Sequence, residues 1–143
     1  MFDIFASKNK KLVKKWKQEH QEIVVVATKV IEAYSTHRYN EAKEQLKVLN
    51  NIAVSHIMDE DIQFFKLLRD KSKNDPRIEK MVNDFTASFK GTKLTLMNFL
   101  YKYTKEDVEL DDEFFETFNQ IVEVVAKRIE FEENNLYQEL QKR

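Results

Sequence analysis

Three residues with metal-binding side chains occupy positions that the surrounding sequence pattern otherwise gives to apolar residues. His20 and His56 each interrupt an apolar series with helical spacing, and Glu60 continues the second series, which runs on to Phe64 and Leu67. Burying a carboxylate costs free energy unless a cation, a metal ion or a hydrogen-bond network compensates for it. The position of Glu60 therefore indicates one of these three kinds of partner in the protein interior.

A second pair of charged residues interrupts the apolar pattern near the end of the chain. Arg128 and Glu132 are four residues apart and lie between the apolar residues Val125 and Leu136. Residues with this separation lie on one face of a helix, one turn apart. The sequence therefore predicts that both side chains point toward the same interior as the apolar residues around them.

The spacing of these residues from the predicted turns places them at one depth. His20 and His56 lie 18 residues before and after Arg38, where the sequence predicts a turn. Because two antiparallel helices rise equally per residue, both histidines should reach the same level. Counting from the later turns places Arg128 and Glu132 at that level too. We expect one polar layer near the middle of a helix bundle, which is where bundles build metal sites.

Apolar residues recur at three- and four-residue intervals through almost the whole chain, and this spacing is typical of amphipathic helices. One Gly and one Pro argue against an all-β fold, because the many turns of such folds use both residues. Long helices joined by short polar turns predict an all-α fold, an antiparallel up-down-up-down four-helix bundle. The predicted helices cover residues 8–36, 41–71, 76–103 and 112–141, with Ser7, Asn40 and Asp75 as N-caps.

The composition excludes several classes of protein. The 143 residues contain no cysteine, which excludes a disulfide scaffold, a thiolate metal site and a cysteine nucleophile. A net charge of −1 predicts that neither nucleic acid nor a membrane surface is a partner. The longest uncharged apolar run, Ile23–Ala27, is too short to span a membrane. We expect a cytoplasmic protein with one domain over residues 1–143, in which residues 1–7 form a short N-terminal arm.

The sequence carries no recognisable catalytic motif. It has no hydrolase nucleophile motif, no phosphate-binding loop, no dinucleotide fingerprint and no H-E-x-x-H motif. The Glu-x-x-His pairs of ferritin-like oxidases are also missing, since Lys17 and Ala53 precede the two histidines by three residues. We therefore predict no catalytic residue and no enzyme, with a redox activity of a single iron ion left open.

Three short segments carry a resemblance to a known family. They are Lys17–His20 on the first predicted helix, His56–Glu60 on the second and Arg128–Tyr137 on the fourth. In this order they resemble the hemerythrin-like (HHE cation-binding) family of four-helix bundles, and the resemblance spans most of the chain. It implies a non-haem iron site in the bundle core that binds or senses iron, dioxygen or a related small diatomic molecule. By position, the implied metal ligands are His20, His56, Glu60 and Glu132.

Two features separate this chain from the complete family pattern. Arg128 stands where the family has a histidine on the fourth helix, and an arginine cannot lose its proton to become a ligand. The third helix has no histidine and presents Phe85 and Phe89 at the expected depth, while Trp16 and Tyr137 are expected to pack around the layer. The remaining ligands predict at most one ion, with Fe(II), Mn(II) and Zn(II) suited to them.

The alternative is a metal-free protein with the same fold. In that case Arg128 replaces the charge of the metal and forms a polar core with the glutamates and histidines. Such a bundle would serve as a regulatory or interaction module. The sequence does not indicate which protein would be its partner.

Other polar residues near these positions are expected to have ordinary roles. We predict that His37 lies in a solvated turn and that Asp59, Glu130 and Glu133 face solvent. Gly91 indicates either close approach of two helices or room for a small ligand. A lysine cluster on the first helix is predicted to be a solvated face, with binding to an acidic partner or to nucleic acid as the alternative; it comprises Lys8, Lys10, Lys11, Lys14, Lys15 and Lys17.

Overall fold

A computed structural model describes residues 4–141, and its regular elements in that range are all helices, so the predicted all-α four-helix bundle is confirmed. The second and fourth helices of the bundle each contain a π-helical turn that joins two α-helical parts. Residues 1–3, part of the predicted N-terminal arm, lie outside the described residues. The elements are α1 (Ile4–Ser35), α2 (Tyr39–Asp59), a π turn (Glu60–Phe64), α3 (Phe65–Ser72), α4 (Pro76–Tyr103), α5 (Asp112–Phe131), a second π turn (Glu132–Leu136) and α6 (Tyr137–Gln141).

Aspartate side chains begin the third and fourth helices of the bundle, and the cap at Asp75 is the one that the sequence predicts. The Asp75 carboxylate accepts hydrogen bonds from the backbone N–H groups of Arg77 and Ile78, and Pro76 takes the first helical position. The Asp111 carboxylate accepts a hydrogen bond of 2.8 Å from the backbone N–H of Phe114. These bonds satisfy N–H groups that have no partner within the helix.

The starts of the first two helices differ from the prediction. Helix α1 begins at Ile4, so the predicted start after Ser7 is wrong, because no Gly or Pro interrupts the helix there. Helix α2 begins at Tyr39, so Asn40 is not its cap. The reason is a tight turn in which exposed His37 takes a left-handed φ of 62°. The N–H of Arg38 then bonds to the carbonyl of Ala33, which closes α1 immediately before α2.

The apolar core is divided into two clusters by a polar layer. The first cluster lies toward the turn between α1 and α2, and the second lies toward the opposite end of the bundle. Helix α1 contacts α2, α5 and α6, while α4 contacts α2, α3 and α5. The large buried residues of the first cluster include Leu46, Leu100, Phe114 and Phe118, and those of the second include Trp16, Phe64, Leu136 and Tyr137.

The surface of the bundle carries the predicted lysine cluster. Lys8, Lys10, Lys11 and Lys14 are exposed on α1, and Lys15 donates a hydrogen bond of 3.1 Å to Asp59. Among the described residues, no helix is both long enough and apolar enough to cross a membrane.

Gly91 lies inside α4 and is exposed, with ordinary helical backbone geometry. No heavy atom beyond the local helix backbone lies within 4 Å of the place where a Cβ atom would stand, among the residues that the structure describes. Close approach of two helices therefore does not explain this glycine. Gly91 also does not line the cavity described below, so it does not make room for a ligand there.

We expect Gly91→Ala to stabilise the protein by about 0.5–1 kcal/mol, because alanine restricts the unfolded chain more and meets no neighbour in α4. The free energy of unfolding in urea measures this effect. Ser88→Ala, at another exposed position of α4, is the control and should change stability less. A destabilised Gly91→Ala protein would show that the helix needs glycine at this position.

Candidate metal centre

Four buried side chains meet in the polar layer between the two apolar clusters. His20, His56, Glu60 and Glu132 are between 1% and 4% exposed. Each offers one nitrogen or oxygen atom, and these atoms all lie within 4.8 Å of one another. The structure therefore brings together all four side chains that the sequence singles out as metal ligands.

The two glutamates each stand at the first position of a π turn. Phe65 donates its backbone N–H to the carbonyl of Glu60, five residues back, and Tyr137 bonds in the same way to Glu132. Turns of this kind occur frequently at functional sites. A π turn contains one residue more than an α-helical turn, and this additional residue shifts the register of the helix that follows. After Glu60, Leu68 is therefore the fully buried residue, whereas uninterrupted α-helical spacing predicts Leu67.

The two imidazole rings are held from outside by a second pair of glutamates. Nδ1 of His20 lies 2.8 Å from a carboxylate oxygen of Glu133, and Nδ1 of His56 lies 2.6 Å from one of Glu19. Both Nε2 atoms therefore face the interior of the cluster. Metal-binding histidines are held in this way, with the second ring nitrogen donating to a carboxylate. Glu133 was predicted to face solvent, and this is wrong, because it is half-buried against His20.

A second predicted surface carboxylate, that of Asp59, also has a buried partner. Asp59 is half-buried and accepts hydrogen bonds from Nε1 of Trp16 at 2.9 Å and from Lys15. The expectation that it faces solvent is therefore wrong, whereas Glu130 is exposed as predicted. The indole of Trp16 would otherwise be a buried donor without a partner, since the ring is fully buried.

The inner atoms of the cluster are close but incompletely hydrogen-bonded. Nε2 of His20 lies 3.2 Å from Oε1 of Glu132 and 3.7 Å from Oε1 of Glu60. Nε2 of His56 lies 2.5 Å from Oε1 of Glu60, yet it is a buried atom without a hydrogen-bond partner among the described residues. A buried ring nitrogen that faces carboxylates and lacks a partner fits a metal ligand.

Tyr137 adds a fifth polar atom to the cluster. The sequence indicates only that this residue packs near the layer, whereas its hydroxyl lies 3.3 Å from Nε2 of His20 and donates to Oε2 of Glu60 at 3.3 Å. Its ring is fully buried and stacks on the imidazole of His20, with 5.7 Å between ring centroids. Burial and the charges of Glu60 and Glu132 raise the pKa of Tyr137 far above its ordinary value.

Without a metal ion, protons compensate the buried carboxylates. Burial alone would lower the pKa of His20, but hydrogen bonds to Glu132 and Glu60 outweigh it and raise that pKa to about 10. Burial would also lower the pKa of His56, but the negative charge of the Glu60 carboxylate beside its ring outweighs burial and raises that pKa. Burial and the nearby charge of Glu60 raise the pKa of Glu132 to about 7, while the two histidines lower the pKa of Glu60 despite its burial. A divalent ion would replace these protons.

Arg128 lies at the edge of the layer against the third helix. Its Nε atom is 3.4 Å from Oε2 of Glu132, while Oε1 of that carboxylate faces His20. The guanidinium carbon lies 5.6 Å from the ring centroids of both Phe85 and Phe89. The predicted match in depth between Arg128 and these two phenylalanines is confirmed, and aromatic rings occupy the side of the layer that faces α4.

A cavity of about 150 Å³ adjoins the cluster on the side of the first apolar cluster. The four candidate ligands contribute to its wall, and most of its other lining residues are apolar. Thr92 and Lys93 are its polar lining residues from α4, and Lys93 also pairs with Asp61. The apolar lining includes Ile23, Ala27, Leu49, Ala53, Phe118 and Val125.

Comparison with protein families gives a match over nearly the whole chain. The model described as the Hemerythrin HHE cation binding domain matches residues 11–140. This range contains the four candidate metal ligands together with Arg128 and Tyr137. Comparisons with curated proteins and with solved structures give no significant match.

We expect the metal-free protein to lose stability as the pH rises. Folding raises the pKa of His20 from 6.5 to about 10, so the stability that its proton contributes is complete below about pH 6.5 and is lost as the pH rises through about 10. In EDTA, the melting temperature should fall by several degrees between about pH 7 and 10, since ~1 kcal/mol corresponds to roughly 2–4 °C in a chain of this size.

Thermal melts followed by circular dichroism measure this dependence. His20→Gln is the control, because it removes the titrating group, and its melting temperature should depend less on pH over the same range. A wild-type melting temperature that stays constant or rises would contradict the assignment of protons to this cluster.

Proposed function

Because the chain belongs to the hemerythrin HHE cation-binding domain family, we propose that it binds one non-haem iron ion through His20, His56, Glu60 and Glu132. Through this ion it would bind or sense iron, dioxygen or a related small molecule. The observation that carries the proposal is the buried four-residue cluster, in which Nε2 of His56 has no hydrogen-bond partner among the described residues.

The chemistry of the ligand set supports iron. Two imidazoles with carboxylates suit Fe(II), Mn(II) and Zn(II), and proteins of this family generally hold non-haem iron. A bound iron ion supplies open coordination positions and one-electron redox chemistry. Glu133 accepts a hydrogen bond from Nδ1 of His20, and Glu19 accepts one from Nδ1 of His56. Both Nε2 atoms therefore remain available for the ion.

The surroundings of the cluster support one ion rather than two. Arg128 keeps a permanent positive charge beside Glu132 and would repel a second cation in the same small space. Glu132 directs only Oε1 toward His20, because Oε2 faces Arg128. On the third helix, Phe85 and Phe89 lie against the guanidinium and offer no ligand atom.

The cavity beside the cluster supports a small, weakly polar ligand. Its volume of about 150 Å³ and its mostly apolar wall suit a molecule such as dioxygen or nitric oxide better than a charged solute. His20, His56, Glu60 and Glu132 all contribute to its wall, so a molecule in the cavity would lie next to the ion.

We expect about one iron ion per chain after anaerobic loading with Fe(II) and removal of excess metal. His56→Ala should weaken iron binding by more than about 100-fold, because it removes a ligand. The loss of a residue that only hydrogen-bonds to a ligand costs about 10–100-fold in metal affinity. His37→Ala, which changes the exposed histidine of the first turn, is the matched control and should bind like the wild type.

Elemental analysis and a competitive chelator titration measure the content and the affinity. Far less than one equivalent of iron, unchanged in His56→Ala, would rule out the proposed site. Two equivalents of iron, with the absorption of an oxo-bridged pair, would contradict a site for one ion.

A metal-free regulatory or interaction module is the second candidate. It is favoured by the contacts of Arg128, whose guanidinium meets Glu132 and two phenylalanine rings, and by the protons that compensate the cluster without metal. In this case the polar layer would be a structural element, and function would lie on the surface of the bundle.

Under this alternative, Arg128→Leu should destabilise the metal-free protein by about 3 kcal/mol, because it leaves the buried Glu132 carboxylate without its arginine partner. Urea unfolding in EDTA measures the effect. Lys127→Leu removes an exposed cation from the next position and should change stability far less. A neutral or stabilising Arg128→Leu change would argue against a core that depends on this arginine.

A further inference from the structure

Tyr137 places a polar atom inside the cluster, although it is not one of the four proposed ligands. Its hydroxyl is the fifth polar atom of a fully buried cluster, 3.3 Å from Nε2 of His20 and 3.3 Å from Oε2 of Glu60. Two atoms that bind one ion at right angles, each about 2.1 Å from it, are about 3 Å apart. The hydroxyl therefore has the spacing from both residues that neighbouring ligands of one ion have.

The second π turn is the reason that this tyrosine reaches the cluster. In an α-helix, a residue five positions after Glu132 would point about 140° away from it, at about 100° per residue. The π turn Glu132–Leu136 contains one residue more than an α-helical turn. Its closing hydrogen bond runs from the backbone N–H of Tyr137 to the carbonyl of Glu132. Both side chains consequently project into the same layer.

The phenol also lies on the side of the layer away from the cavity. Its ring packs with Trp16 and Phe64 in the second apolar cluster, whereas the cavity adjoins the first cluster. A ligand at this position would leave the cavity side of the ion free.

We propose that Tyr137 is a further metal ligand, which binds through its phenolate oxygen when the ion is ferric. This inference rests on the proposed function. In the step, the O–H bond of the phenol breaks, a bond forms between its oxygen and Fe(III), and the proton is released to solvent, with no change in the oxidation state of the iron. A hard, anionic oxygen favours the ferric ion over the ferrous ion.

The test separates this role from a merely structural hydrogen bond to Glu60. Protein loaded anaerobically with Fe(II) is oxidised with ferricyanide and freed of excess reagent, and its iron content and visible absorption are measured. We expect a phenolate-to-Fe(III) charge-transfer band and, on excitation in that band, the resonance Raman vibrations of a bound tyrosinate. Tyr137→Phe should lose the band while it still holds about one iron ion per chain.

Tyr103→Phe is the matched control, because it removes another buried phenol far from the layer, in the first apolar cluster, and it should keep the band. Wild-type protein with ring-deuterated tyrosine gives a second readout that does not depend on the folding of a variant, since bound tyrosinate vibrations shift with the label. Stoichiometric iron without the band, or a band that persists in Tyr137→Phe, would overturn the inference and leave the proposed function intact. A wild-type protein that takes up no iron would overturn both.

Discussion

The burial of two carboxylates at one level of the bundle is the constraint on which the rest of the structure depends. Glu60 and Glu132 are each 1% exposed, and neither can remain charged there without compensation. Two imidazoles face them from α1 and α2, and a guanidinium approaches from the fourth helix. Glu133 and Glu19 hold the two imidazoles from outside the layer, and two phenylalanine rings lie against the guanidinium. The arrangement therefore extends from the centre of the bundle toward its surface.

This layered arrangement gives the site two different sides. Toward the first apolar cluster lies a cavity with mostly apolar walls, and toward the second lies a packed group of aromatic rings. Solvent access and reactivity at a buried ion depend on this shell as much as on the ligands themselves. The two sides of the layer therefore differ in packing, with open space on one side and closely packed aromatic rings on the other.

Helical spacing in the sequence was sufficient to predict the fold, the layer and the four clustered residues. It succeeded because His20, His56, Glu60 and Glu132 all lie before the π turns take effect, where α-helical counting is still valid. It failed after the first π turn, where Leu68 rather than Leu67 is fully buried. It placed Tyr137 near the layer, but it did not show that the hydroxyl of this residue joins the cluster. The outer glutamates could not be predicted either, because a half-buried carboxylate at the edge of a helix face has the same spacing as a solvated one.

The two π turns also affect how this chain is compared with others. Each adds one residue to a helix without breaking it, so the residues that follow are rotated by about 100° relative to an uninterrupted α-helix. A counterpart with purely α-helical second and fourth helices would need one residue fewer in each to place the same apolar side chains in the core. A gap-free alignment with such a protein would therefore misassign every position that follows Glu60 or Glu132 in its helix, even where the two structures superimpose.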